Sequence, residues 1–156
     1  MFNIRYEKAS PEHLSEIEAL EKDHFHEEAF SRRQIGYLLK SPDSVAIVAT
    51  ADGSLVGYII GTLHRRSRTC NICTFCLQED FRHRNVASEL LSRLEKECVP
   101  KGVNRLALEV KEGNISAQKF YSKSGFVESQ KLPGYYKDGS TAIKMEKTLT
   151  QLITPN

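Results

Sequence analysis

The sequence predicts an α/β protein in which a mixed sheet is covered by helices on both faces. Segments with apolar residues at helical spacing alternate with short runs rich in Val, Ile, Thr and Phe, from near the start to about residue 149. No repeat, linker or low-complexity tract interrupts that alternation. The chain has 156 residues, 40% hydrophobic and 27% charged, which suits one core, so we expect a single domain over 1–149 and a frayed tail over 150–156.

Residues 2–8 suggest a first strand. Ser10-Pro11 reads as a helix N-cap with proline in the first turn, and Leu14, Ile17, Ala19 and Leu20 supply an apolar helical face. Ser31-x-x-Gln34 is a capping box, starting a second helix that runs through Leu39. Val45–Thr50 and Leu55–Leu63 form a hairpin around Ala51-Asp52-Gly53-Ser54, and 69–77 adds a strand. A third helix carries Val86, Leu90, Leu91 and Leu94 at helical spacing, and Pro100 with Gly102 ends it. Arg105–Lys111 is a strand, Ala117–Ser124 a short helix, and Val127–Lys131 with Thr141–Thr148 a closing antiparallel pair.

A net charge of +2 gives no case for a nucleic-acid partner. No run approaches the roughly 18 apolar residues of a membrane span, and Met1-Phe2-Asn3-Ile4-Arg5-Tyr6 has no signal-peptide apolar region. A soluble, cytoplasmic protein, with neither membrane nor nucleic acid as a partner, is the expectation. Arg65, Arg66, Arg68, Arg82 and Arg84 are expected to concentrate positive charge near one site and to suit a small anionic ligand.

That site begins where the strand Ile72–Leu77 gives way to Phe81-Arg82-His83-Arg84-Asn85-Val86-Ala87-Ser88 and a helix. The first N–H groups of a helix lack intrahelical partners and lie at the positive end of its dipole. A basic turn with small residues there reads as a phosphate cradle.

The pattern Arg82-x-x-Asn85-x-Ala87 resembles the acyl-coenzyme A loop of the GNAT acetyltransferases: Arg or Gln, two variable residues, Gly, any residue, then Gly or Ala. Asn85 departs from the usual glycine, although Asn is the next most tolerant of left-handed dihedrals. Leu108-Glu109-Val110, Asn114-Ile115-Ser116-Ala117 and Phe120-Tyr121-Ser122-Lys123-Ser124-Gly125-Phe126 resemble the end of the GNAT core in order and spacing. Pro133-Gly134-Tyr135-Tyr136, Asp138-Gly139 and Met145-Glu146-Lys147 are similar to the branch that acetylates ribosomal proteins and protein N-termini. The resemblance runs from Ile4 to about Leu149. It implies a central, mostly antiparallel mixed sheet, with acetyl-coenzyme A as acetyl donor and no metal.

Transfer of acetyl from a thioester to an amine needs a base for the amine, stabilisation of an oxyanion and an acid for the thiolate. Direct attack needs no cysteine or serine nucleophile. By resemblance, Glu109 is the base and Tyr121 the acid. Phe75, Cys76 and Leu77 offer backbone groups to the cofactor where the strands splay, and Arg82, His83, Arg84, Asn85, Val86, Ala87 and Ser88 hold its diphosphate. Asn114 caps the short helix, and by resemblance it also binds the cofactor, as does Tyr121. The loop His24–Phe30 and the segment Pro133–Tyr136 frame the acceptor, with Phe25, Glu27, Tyr135 and Tyr136 as contacts; Glu27 or Glu28 is placed to attract an ammonium.

Cys70-x-x-Cys73-x-x-Cys76 has the spacing of metal sites. On a regular strand a period of three alternates faces, so Cys70 and Cys76 are expected to point opposite to Cys73, leaving buried free thiols. The expected activity is acetylation of protein α-amino termini, ribosomal or other, by a monomer or homodimer. A small-amine acetyltransferase of polyamine type and a non-catalytic coenzyme A binding sensor or subunit are the alternatives.

Overall fold

In the computed structural model, which describes residues 3–82 and 85–149, seven strands form one sheet in the order β1-β2-β3-β4-β5-β7-β6. The strands are β1 (Ile4–Lys8), β2 (Ser44–Ala51), β3 (Ser54–His64), β4 (Thr69–Leu77), β5 (Arg105–Lys111), β6 (Val127–Leu132) and β7 (Ala142–Thr148). The described α-helices are α1 (Leu14–Phe25), α2 (Arg32–Lys40), α3 (Val86–Cys98) and α4 (Ile115–Lys123). Every neighbouring pair is antiparallel except β4 with β5, so the sheet is mixed and mostly antiparallel as expected. The tail expectation for 150–156 lies outside the described residues.

The local signals act as read. Ser31 Oγ accepts from the Gln34 N–H at 3.1 Å while Gln34 Oε1 accepts from the Ser31 N–H at 2.8 Å, closing the capping box of α2. Asp52 and Gly53, at φ 51° and 87°, make the tight β2–β3 turn. Pro11–His13 is a 3-10 turn, and α1 begins after it at Leu14. The helix expected over 117–124 starts two residues earlier, at Ile115, because Asn114 Oδ1 accepts from the Ala117 N–H at 3.2 Å.

Two hydrophobic cores lie on the two faces. On the α3 face, Val45, Ile47, Ile59 and Ile72 from β2, β3 and β4 pack with Leu90, Leu94, Leu106, Leu108, Val110, Ile143 and Met145. On the α1–α2 face, Ile17, Ile35, Val48, Leu55, Tyr58, Ile60 and Cys76 pack together, all of them from the β1–β4 side of the molecule.

Two irregularities shape the middle of the sheet. The pairing of β4 with β5 covers only Thr69–Asn71 against Arg105–Ala107. Beyond it the strands part, and the backbone of residues 72–77 and 108–111 faces a gap. Within β4, Ile60 opposes Thr74 and Gly61 opposes Ile72, so Cys73 is the extra residue of a β-bulge. The bulge overturns the expected alternation of the cysteines. Cys70 joins the α3-side core, Cys76 the α1-side core, and Cys73 sits between them at 3.5 Å from the Thr62 hydroxyl.

Arginine placement also differs from expectation. Arg65, Arg66 and Arg68 occupy the β3–β4 connection, at the opposite end of β4 from Arg82, because β4 runs the full nine residues between them. Arg65 pairs with Asp43 at 2.9 Å and Arg68 donates to the Gly102 carbonyl at 2.9 Å.

Candidate active site

The parted strands open a cleft of about 540 Å³ on the α3–α4 side of the gap. It is lined by Phe75, Cys76 and Leu77 of β4, Arg82 and Ala87 at the entry to α3, and Asn114, Ala117, Phe120 and Tyr121 of α4 and its cap. Three segments far apart in sequence meet there because α4 packs Ala117, Phe120 and Tyr121 against the α3-side core. Phe75 stacks edge-on to Phe120 at 6.0 Å and lies 6.3 Å from the Tyr121 ring, which also meets Phe126 at 5.4 Å. This aromatic wall fixes the Tyr121 ring and burial pushes its hydroxyl above the usual phenol range. A Tyr121 phenol held neutral retains its proton as a donor.

Asn85 takes the left-handed conformation, φ 59° and ψ 13°, as the N-cap of α3. The first N–H groups of α3 follow it, without partners inside the helix. Val86 contributes only main chain, since its side chain is fully buried in the core. Ser88 is exposed on α3 and does not line the cleft. His83 and Arg84 lie outside the described residues.

The cleft holds residues to which sequence reading assigned no cofactor role: Ser116, Lys119, Lys123 and His24, the last expected in the acceptor loop but placed by the structure at the end of α1 beside Arg82. The i, i+4 lysines of α4 were a legible signal, because that spacing places two cations on one helix face. With Arg82 they ring the cleft with positive charge beside a helix N-terminus. An apolar slot between a strand edge and aromatic rings, rimmed by three cations, fits a long ligand with a thioester arm and phosphate groups.

Across the gap lies a second group. Leu106, Leu108 and Val110 face the α3-side core, so alternation turns Glu109 and Lys111 to the α1–α2 face. Glu109 is half-buried beside Lys144, its cross-strand partner, and burial raises its carboxyl above the ordinary range while Lys144 opposes the shift. Its charge reaches Cys73, Tyr135 and Tyr136. Burial, with Tyr135, Glu28, Glu109 and Asp138 adding to it, pushes the Tyr136 hydroxyl up to about 12. Tyr135 is exposed and stacks edge-on to Tyr136 at 5.0 Å.

Glu28 is engaged rather than free: Lys111 Nζ lies 3.3 Å from Glu28 and 3.3 Å from Asp138, and sits over the Tyr136 ring at 5.2 Å. One lysine thus ties the α1–α2 loop to the β6–β7 segment. Glu27 stays exposed on that loop, while Phe25 is half-buried against the α1-side core.

The loop has a deeper anchor in Glu21, a fully buried carboxylate that sequence reading did not single out. It accepts from the Tyr58 hydroxyl at 2.6 Å, the Thr74 hydroxyl at 2.5 Å and the Phe30 N–H at 2.9 Å. A buried carboxylate persists only with such partners. Glu21 thereby fastens the loop end at Phe30 to β3 and to the stretch of β4 beside the gap.

Among the described residues no group of three or more His, Cys, Asp or Glu side chains gathers to hold a metal ion, and no helix is long and apolar enough to cross a membrane.

Comparison with known proteins agrees with this geometry. The family model described as an acetyltransferase (GNAT) domain matches residues 7–149. An uncharacterized N-acetyltransferase of Methanocaldococcus jannaschii is 30% identical over 141 residues, 90% of this chain and 88% of that protein. An N-alpha-acetyltransferase of Saccharolobus solfataricus is 30% identical over 122 residues, covering 71% of this chain and 73% of its own length. The crystal structure of Ard1 from Thermoplasma volcanium superposes with a TM-score of 0.86 at 28% identity, covering 95% of this chain and 99% of that one.

Proposed function

The chain belongs to the GNAT acetyltransferases and is an acetyl-coenzyme A dependent acyltransferase, and from that premise we propose that its acceptor is the α-amino group of protein N-termini. The observation that carries this reading is the arrangement across the parted strands. A cofactor-sized cleft opens on one side of the gap, and Glu109 lies on the other, beneath Tyr135, Tyr136 and the α1–α2 loop. Two tyrosines and a tethered loop suit a peptide clamp, whereas a polyamine pocket calls for unpaired carboxylates, and Glu28 and Asp138 are already engaged by Lys111. The similarity to the N-alpha-acetyltransferase of S. solfataricus supports the same choice.

Coenzyme A supplies the acetyl group as a thioester. Phe75, Cys76, Leu77, Arg82, Asn85, Val86, Ala87, Asn114 and Tyr121 hold it in this reading, with Lys119 and Lys123 at the rim. Glu109 takes a proton from the acceptor ammonium, directly or through water, and its raised pKa brings it closer to the task than an ordinary carboxylate. Backbone N–H groups on the open edge of β4 hydrogen-bond the carbonyl oxygen as it gains charge. Tyr121 donates its proton to the departing sulfur. No covalent enzyme intermediate is needed.

The test mixes purified protein with acetyl-coenzyme A and short peptides differing at residue one, plus spermidine, following thiol release with mass detection of products. Acetylation of peptide α-amines is the expected result. Acetylated spermidine alone would instead assign a small-amine enzyme, and coenzyme A binding without product a sensor.

A further inference from the structure

His24 is the last residue but one of α1, yet it lines the cleft beside Arg82 and Cys76. Its Nδ1 lies 3.2 Å from Arg82 Nη2. A guanidinium has donors and no acceptor, so a hydrogen bond between them requires Nδ1 to accept, which is the neutral ring with its proton on Nε2. Among the described residues, the groups around the ring favour that state. The residue is exposed overall; partial desolvation of the ring against the cleft and the Arg82 charge lower its pKa and His26 also lowers it, while Glu21 and Asp23 on α1 pull the other way. Glu21 is committed to Tyr58, Thr74 and Phe30. On its α1 side the His24 ring meets Phe25 edge-on at 4.7 Å, and the loop that frames the acceptor starts immediately afterwards.

We propose that His24 is a proton-coupled ligand of the phosphate groups of coenzyme A, released from Arg82 when the anion arrives and binding it as an imidazolium. This rests on the cleft being the coenzyme A site. In the free protein one cation at this corner is held by a neutral ring. When an anion of two or more charges enters, Arg82 turns its donors to phosphate, and His24 Nδ1, freed of its donor, takes a proton from solvent. An N–H bond forms, none breaks in the protein, and the corner then presents two cations instead of one. The same movement loads the end of α1, so cofactor binding is felt at the acceptor loop.

The experiment is titration calorimetry of coenzyme A into the wild-type protein and His24→Asn at pH 7, in two buffers of different ionisation enthalpy. The number of protons taken up is read from the difference. Coenzyme A brings its own titrating phosphate, so the comparison between proteins isolates His24. Wild type is expected to take up more protons than His24→Asn and to bind about tenfold tighter, the worth of one charge-assisted hydrogen bond. Its affinity should fall from pH 6 to pH 8 more steeply than the variant's. Pantetheine, which lacks the phosphates, should bind both proteins alike. Ring nitrogen shifts of labelled wild-type protein give the same answer without a variant: Nδ1 gains a proton on coenzyme A addition. Equal proton uptake and parallel pH profiles, or an Nδ1 that stays bare, would overturn the proposal alone. Failure of wild type to bind coenzyme A would overturn the reading of the cleft as well.

Discussion

Glu109 and Glu21 are both carboxylates on the acceptor side, and their surroundings assign them opposite work. Glu109 has a raised pKa without a set of hydrogen-bond partners, so it is free to exchange a proton. If it is the base, kcat/KM falls as pH drops through a value above the ordinary carboxylate range, because only the ionised form accepts the amine proton. Glu109→Gln should remove that acid limb and lower kcat by about 10²–10⁴-fold, while calorimetry finds coenzyme A affinity unchanged. Glu21, by contrast, is tied by three donors. Glu21→Ala removes the acceptor of all three, leaving the two hydroxyls only their long 3.5 Å contact with each other, and we expect a loss of about 3 kcal/mol, which lowers Tm by about 10 °C in thermal unfolding. Neither role was legible from residue type. Glu109 was singled out as a candidate by its place in a motif, and Glu21 was missed because a buried network of residues 21, 58, 74 and 30 has no signature along the chain.

At the scale of elements, the entry to α3 shows how far local chemistry reaches. The left-handed Asn85 was legible because Gly, Asn and Asp visit that region more cheaply than other residues. Asn85→Gly should therefore leave both stability and coenzyme A affinity within a few-fold of wild type, whereas Asn85→Val should cost about 1–2 kcal/mol and weaken coenzyme A binding, as denaturation and calorimetry would record. Capping boxes, turn glycines and helical periodicity set the element boundaries closely for the same reason: each is a contact within a few residues. The Cys73 bulge was not legible, since it depends on how β4 meets β3, and it reversed the predicted facing of Cys70 relative to Cys76. The arginines of the β3–β4 connection were misplaced for a related reason. Nearness in sequence to β4 says nothing about which end of the strand they occupy.

For the whole molecule, the order of strands and helices was readable and the parting of β4 from β5 was supplied only by resemblance. Nothing in either strand's sequence forbids pairing beyond Asn71 and Ala107. Because the cleft spans elements from both sides of that gap, its ligand stabilises the assembled molecule and has no site in the unfolded chain. Coenzyme A at one hundred times its Kd should add about 2.7 kcal/mol and raise Tm by about 8 °C, read by calorimetric or fluorescence melting. An unchanged Tm would mean that coenzyme A does not bind the folded chain in preference to the unfolded one.

The two cores carry a mechanical consequence. The core on the α3 face is stitched across the gap by Leu106, Leu108, Val110, Ile143 and Met145, while the core on the α1–α2 face draws on one side alone. The molecule is therefore bound like a book, with its spine along α3 and its pages free to part on the opposite face. A change in the angle between the pages would widen or narrow the face that carries Glu109 while leaving the spine packed, and Lys111, reaching from β5 to Glu28, is the clasp across that face.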